Sequence, residues 1–294
     1  MTDITAPPAT GVVVAQPGYS AELPPWRLLL RRPTFLVGAA ILLFWVVCAI
    51  FGNAIAPHDP LAQQLLATNQ PPSAAHWFGT DQLGRDVFSR IVAGVRYILL
   101  VSLLATVLGT VLGTAIGLVM GYLGGVADIV VGRLIEAVLA FPLVVLAFLF
   151  VVALGTSPPV IIFVVGFVFT PIIARTVRSA VLVESQLDYL SSARLLGEKP
   201  AYIMFTEITP NVLPTVLVEF TVRLGYAIFT IAALSFLGFG IQPPTPDWGA
   251  DIAANYVTLG AGYWWQTLFA ALAIASLVIA INLVTDSIEQ VIAS

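Results

Sequence analysis

Stretches of about 20 almost wholly apolar residues, the length a helix needs to cross a bilayer, recur along this chain near 34–55, 97–121, 130–154, 159–180, 212–236 and 264–286. Backbone in lipid must satisfy its own hydrogen bonds, so runs of this length predict an all-α integral membrane protein with six transmembrane helices. Composition supports this: 59% of the 294 residues are hydrophobic and only 10% charged, where soluble domains carry about 25% charged residues. The formal net charge of −4 is spread over segments of mixed sign, so there is no basic face for nucleic acid. The single cysteine, Cys48, excludes an internal disulfide and a thiolate metal cluster. Its apolar surroundings read as packing.

Arg27, Arg31 and Arg32 precede the first run and are expected to hold the N-terminus in the cytoplasm. Parity then places 56–96, 155–158 and 237–263 outside, and 122–129, 181–211 and the C-terminus inside. The other basic residues agree: Arg133, Arg175, Arg178, Arg194, Lys199 and Arg223 lie in or near inner segments, against Arg85, Arg90 and Arg96 outside. Ala54-Ile55-Ala56 also resembles a signal-peptide cleavage site, but the first run and the tail before it are long for a signal. Residues 1–25, rich in Ala, Pro, Thr and Val, read as a disordered cytoplasmic leader; residues 26–294 form the membrane domain.

Chemistry of the catalytic kind has little to stand on. Lys199 is the only lysine and is followed by Pro200, so the chain has no phosphate-binding Walker A loop. His58 and His76, with Asp59 and Asp81 nearby, raise a metal reading, but ordinary loop polarity is the better one and no metal site is expected. Within the runs, Glu219 and Arg223 stand four apart and can pair on one helix face; local pairing and a role in a gate both remain open. Arg133 and Glu136 can pair in the same way. Gly109, Gly113, Gly117 and Gly121 recur every fourth residue and line one face of the second helix. Such a face admits a close neighbouring backbone, either inside this subunit or in a partner.

The long polar interruption at 181–211 is the most informative segment for function. Leu182 to Leu196 has apolar residues at helical spacing with Glu184, Asp188 and Arg194 opposite, predicting a short amphipathic helix. Gly197 should end it in the left-handed conformation, and Pro200 cannot continue it. A second short helix is expected from about Ala201 to Thr209, with Pro210 and Pro214 opening the fifth span. Ser191, Ser192 and Ala193 are small enough for close docking in the groove of a soluble partner.

Three stretches carry a family resemblance over residues 26 to 290: Phe78-Gly79-Thr80-Asp81-Gln82-Leu83-Gly84-Arg85-Asp86-Val87-Phe88-Ser89-Arg90, the segment from Arg175-Thr176-Val177-Arg178 through Gly197 to Pro210, and Leu234 through Pro243-Pro244-Thr245-Pro246-Asp247-Trp248-Gly249. They resemble the inner-membrane permease subunits of ATP-binding-cassette importers, in the dipeptide, oligopeptide and nickel branch. The chain departs where that family usually has Glu-Ala-Ala and this one has Ser191-Ser192-Ala193, and where Thr209 stands for the usual Leu.

The resemblance implies a type I importer permease fold in a bacterial inner membrane, with both termini cytoplasmic. A second permease would complete the pathway as a heterodimer, two cytoplasmic ATPases would bind ATP and Mg, and an extracytoplasmic binding protein would deliver substrate. This chain would hold no cofactor. Asp188, Ser191, Ser192, Ala193, Arg194, Gly197 and Pro210 would contact an ATPase. Gly79, Asp81, Gly84, Arg85, Asp86, Pro243, Pro244 and Trp248 would lie on the outer side, to meet the binding protein or gate the mouth. Short peptides are the expected substrate, with nickel or other metal chelates and glutathione-like peptides as alternatives. A secondary transporter working without ATPases is the competing class, but the chain lacks the internal repeat expected of one.

Overall fold

The computed structural model describes residues 25–292; the leader expected over 1–25 lies, but for its last residue, outside them. The elements are α1 (Pro25–Leu30), α2 (Pro33–Ile55), α3 (Val87–Leu123), α4 (Gly125–Leu139), α5 (Leu143–Leu154), α6 (Pro158–Glu184), α7 (Asp188–Leu195), α8 (Pro200–Phe236), α9 (Trp248–Asn255) and α10 (Trp265–Ile292). Short 3-10 turns occur at Leu65–Ala67 and Tyr256–Ala261. Among the described residues the only β-type pairing is an isolated bridge between Thr80 and Asp86.

Five helices, α2, α3, α6, α8 and α10, are long and apolar enough to cross a membrane, and α4 with α5 makes a sixth span only as a pair bent by 89°. The unbroken third span expected over 130–154 is therefore corrected. Pro142 has no N–H to continue the ladder and itself takes an extended ψ of 125, so the chain turns there.

Three further boundaries differ from expectation. α3 begins at Val87 rather than near 97, because Asp86 caps it by accepting from the backbone of Ser89 at 2.8 Å. The helix expected over Leu182–Leu196 is two: α6 runs on to Glu184, and α7 starts at Asp188, whose carboxylate suits the positive end of a new helix dipole. Pro210 and Pro214 do not open a fresh span, since α8 runs continuously from Pro200. A π-helical stretch at Ile203–Ile208 precedes them. There the Thr209 N–H reaches back to the Met204 carbonyl, and its hydroxyl donates to the same oxygen at 2.8 Å. This widened turn lets the proline-bearing segment join the helix without a break.

The core runs between α3 and α6, the most extensive helix pair. A Cβ at Gly109 would stand 2.8 Å from the Gly166 carbonyl, at Gly113 2.7 Å from Ile173, at Gly117 2.7 Å from the Ala174 carbonyl and at Gly121 2.7 Å from Val181. The glycine row thus faces α6 of its own chain, which selects the intrasubunit reading of that spacing over a partner face. Across the bundle, the α2 residue Trp45 donates to Ser276 of α10 at 3.0 Å and packs edge-on against Trp248, ring centroids 4.9 Å apart.

Candidate functional site

The bundle has two dissimilar ends, joined by α8. At one, residues 56–86 fold over the helix tips and meet the loop and short helix at 237–264. Thr80 is fully buried: its hydroxyl donates to the Ala67 carbonyl and accepts from the Gln70 N–H, while its carbonyl accepts from Trp265 at 3.1 Å and Gln266 at 3.0 Å. Asp81 accepts from the backbone of Leu83 and Arg85 and pairs with the Arg85 side chain at 2.6 Å. Gly84 sits at φ +69, and a Cβ there would stand 1.9 Å from the Gln64 carbonyl, so no side chain fits this turn.

Beneath this loop lies a bidentate ion pair that no local spacing reveals. Arg90 on α3 donates to Asp251 on α9 through Nε (3.1 and 3.2 Å) and Nη2 (2.5 Å), and through Nη1 to the Pro60 carbonyl. The two side chains are 6% and 12% exposed. Trp248 donates to the Ile91 carbonyl at 2.9 Å. Asp247 caps α9 through Ala250 and accepts from Ser235, yet burial pushes its carboxyl up to about 6.

These contacts correct the expected partner-facing set. Gly79, Asp81, Gly84, Asp86 and Trp248 are buried and Arg85 is half-buried, so they shape the surface from beneath; Pro243 and Pro244 are exposed on it. What this end presents outward includes Leu65, Leu66, Trp77 and Leu83. The histidines also lie differently from expectation. Asp59 accepts from Leu61 within its own turn and Asp81 serves Arg85, so His58 and His76 gather instead around Asp86.

At the other end, Gly197 takes φ +78 and closes α7 with a Schellman pair, Glu198 N–H to the Ala193 carbonyl and Gly197 N–H to that of Arg194. Leu190 and Ala193 face inward, while Asp188, Ser191, Ser192, Arg194, Leu195, Leu196, Gly197 and Pro210 are exposed. Ala193, expected in the docking face, is corrected to the packed side. Leu195 and Leu196, at 89% and 80% exposure, are the apolar residues on offer instead. The segment is tied down: Tyr189 donates to Glu184 at 2.6 Å and accepts from Asn211 at 2.8 Å, and the Arg194 guanidinium lies 5.1 Å above the Tyr122 ring. Burial and the Glu184 carboxylate push the Tyr189 hydroxyl up to about 12.

Between the ends, Arg223 pairs with Glu219 at 2.7 Å within α8 and lies 5.1 Å over Tyr226. Arg133 and Glu136 pair at 2.9 Å on the exposed side of α4.

A bundle of membrane-length helices with a folded cap at one end and a short helix at the other defines a multi-pass membrane protein. Residues 113–294 match the family described as the binding-protein-dependent transport system inner membrane component, and residues 25–72 match the N-terminal TM domain of oligopeptide transport permease C. The chain belongs to this family of ATP-binding-cassette importer permeases, in its dipeptide and oligopeptide branch. It is 34% identical over 277 residues to a dipeptide transport system permease protein of Bacillus subtilis, covering 94% of this chain and 87% of that one. It is 34% identical over 267 residues to a probable D,D-dipeptide transport system permease protein of Escherichia coli K12, covering 90% and 89%. A glutathione transport system permease protein of Pectobacterium atrosepticum is 35% identical over 270 residues, covering 90% and 88%. The relatives are permease subunits of inner-membrane transport systems, not enzymes.

Proposed function

We propose that this chain is one half of the pathway of an ATP-driven importer of short peptides. A second, non-identical permease completes the pathway, two cytoplasmic ATPases holding ATP and Mg drive it, and an extracytoplasmic binding protein delivers the peptide. The observation that carries this reading is α7. A short helix with Ser191, Ser192, Leu195 and Leu196 exposed, braced by Tyr189 and Arg194 on its own chain, suits docking into a groove of a moving partner and passing its displacement to the bundle. Di- and tripeptides are the substrate class, since the relatives carry dipeptide and glutathione names.

Replacing Ser192 with Trp adds bulk to the exposed face, and Gly197→Val opposes a positive φ at a strain cost of about 1–3 kcal/mol. In vesicles reconstituted with the complete transporter, both variants should insert and assemble yet lose most peptide uptake, with ATP hydrolysis no longer tied to transport. Wild-type uptake and ATPase activity in both would remove α7 from the mechanism.

The orientation is proposed from the arginines before α2: the α7 end and both termini are cytoplasmic, and the Trp248 end is outside. In a Cys48→Ser background, Ser73→Cys and Ser191→Cys, both at exposed positions, should react with an impermeant thiol reagent from opposite sides of the membrane. Reaction from one side would overturn the arrangement.

A further inference from the structure

His58, His76 and Asp86 come from three places in the chain, and each offers a ligand atom within 4.8 Å of the others. His58 follows the end of α2, His76 lies in the folded cap, and Asp86 caps α3. Asp86 divides its two oxygens. Oδ2 accepts from the Ser89 N–H at 2.8 Å and the Ser89 hydroxyl at 2.7 Å. Oδ1 faces both imidazoles, 2.9 Å from His76 Nδ1 and 3.8 Å from His58 Nδ1.

The His76 contact is an ordinary hydrogen bond; the His58 contact is not. His58 Nδ1 is buried and has no hydrogen-bond partner, although its backbone N–H is held by the Ser89 hydroxyl at 3.2 Å. The two rings lie 4.7 Å apart, tilted by 34°. A buried imidazole nitrogen aimed at a carboxylate oxygen beyond hydrogen-bonding reach leaves a polar atom unsatisfied, a costly arrangement unless a third body sits between them.

We propose that His58, His76 and Asp86 bind one divalent transition-metal ion of the zinc type. Ligands about 2.0–2.1 Å from a tetrahedral ion stand about 3.3 Å from one another; the two carboxylate–imidazole separations, 2.9 and 3.8 Å, bracket that value, and the two imidazoles lie within 4.8 Å of each other. Two imidazoles and one carboxylate suit zinc, cobalt or nickel and not magnesium or calcium, which take oxygen ligands. The Ser89 bonds to Oδ2 orient the carboxylate so that Oδ1 is left for the ion, the supporting arrangement that ligating carboxylates need. His58 is 35% exposed, beside an open cavity of about 600 Å³ lined by Asn53, Asp59, Thr245 and Pro246 among others, which gives the ion a way in and leaves a fourth position for water. The ion is a staple rather than cargo, joining the end of α2, the cap and the start of α3.

The proposal does not rest on the substrate reading, and its test needs no transport. The complete transporter, purified, stripped with a chelator and dialysed against Zn²⁺, should retain one more equivalent of zinc than the same complex carrying His58→Ala. Co²⁺ in place of Zn²⁺ should give visible ligand-field bands in the wild type that are lost in His58→Ala. Zn²⁺ should also raise the thermal midpoint of the wild type and not that of His58→Ala. His58→Ala removes no hydrogen bond of the imidazole and should fold, whereas His76→Ala also strips a contact from the α3 cap. Equal zinc content and an unchanged cobalt spectrum in His58→Ala would overturn the site, as would wild-type protein that retains no stoichiometric metal.

Discussion

Replacing Arg90 with Ala should destabilise the chain by about 3–5 kcal/mol, the cost of leaving one member of a buried ion pair without its partner. Asp251 would remain nearly enclosed after the change, since the pair is 6% and 12% exposed, with three hydrogen bonds to its carboxylate lost and Asn255 bonded only to its backbone carbonyl. The Pro60 carbonyl would lose its donor too. The double replacement Arg90→Met with Asp251→Leu should recover most of the loss, because it removes both buried charges and puts apolar side chains in their place. Thermal midpoints of the wild type, the single and the double variant in one detergent decide the matter. A wild-type midpoint in Arg90→Ala would show that the cap is held by its packing alone.

Leucine at Gly113 or Gly117 should abolish the folded bundle. The first atom of any side chain at Gly113 would meet Ile173 at 2.7 Å and the Thr170 carbonyl at 3.0 Å, and at Gly117 the Ala174 carbonyl at 2.7 Å and Val177 at 2.8 Å. Those are backbone and branched core atoms, with no flexible end to move aside. Alanine at Gly113 already forces a shift costing about 1–3 kcal/mol, and leucine adds three more carbons to the same gap. Gly132 is the control: a Cβ there meets only the end of Met120, at 3.8 Å, so Gly132→Ala should be tolerated. Gel filtration of the solubilised variants checks this. A monodisperse Gly113→Leu peak at wild-type yield would mean that α3 and α6 can separate without loss of the fold.

Apolar run length makes the helices legible, because lipid imposes one rule on every span. The same rule misplaces the start of α3: Arg90 and Arg96 end the apolar window, yet Arg90 is neutralised by Asp251, 161 residues away, and a window of neighbours holds no trace of such a partner. The break at Phe141-Pro142 is written in the chain but masked by the hydropathy on both sides. Gly197 is readable as a stop because a left-handed residue after an amphipathic run has few other uses. Which face of α7 turns outward depends on Leu190 and Ala193 packing against the bundle, so small size alone puts Ala193 on the wrong side. The motif around Gly79 to Asp86 is recognisable as a unit, while its inward orientation follows from Trp265 and Gln266, nearly two hundred residues later. Local spacing therefore finds the segments, and distant partners decide their exposure.

The unbroken run of α8 has a mechanical side. Its 37 residues span about 55 Å at 1.5 Å per residue. One end emerges beside α7, through the Asn211 contact to Tyr189, and the other is fastened to the cap by Ser235 and Asp247. From the Asn211 contact to Ser235 the lever is about 36 Å, so a tilt of about 5° sweeps the far tip through about 3 Å. On the docking proposed for α7, a push at the Tyr189–Asn211 contact would reach the cap end as a shift about the length of one hydrogen bond.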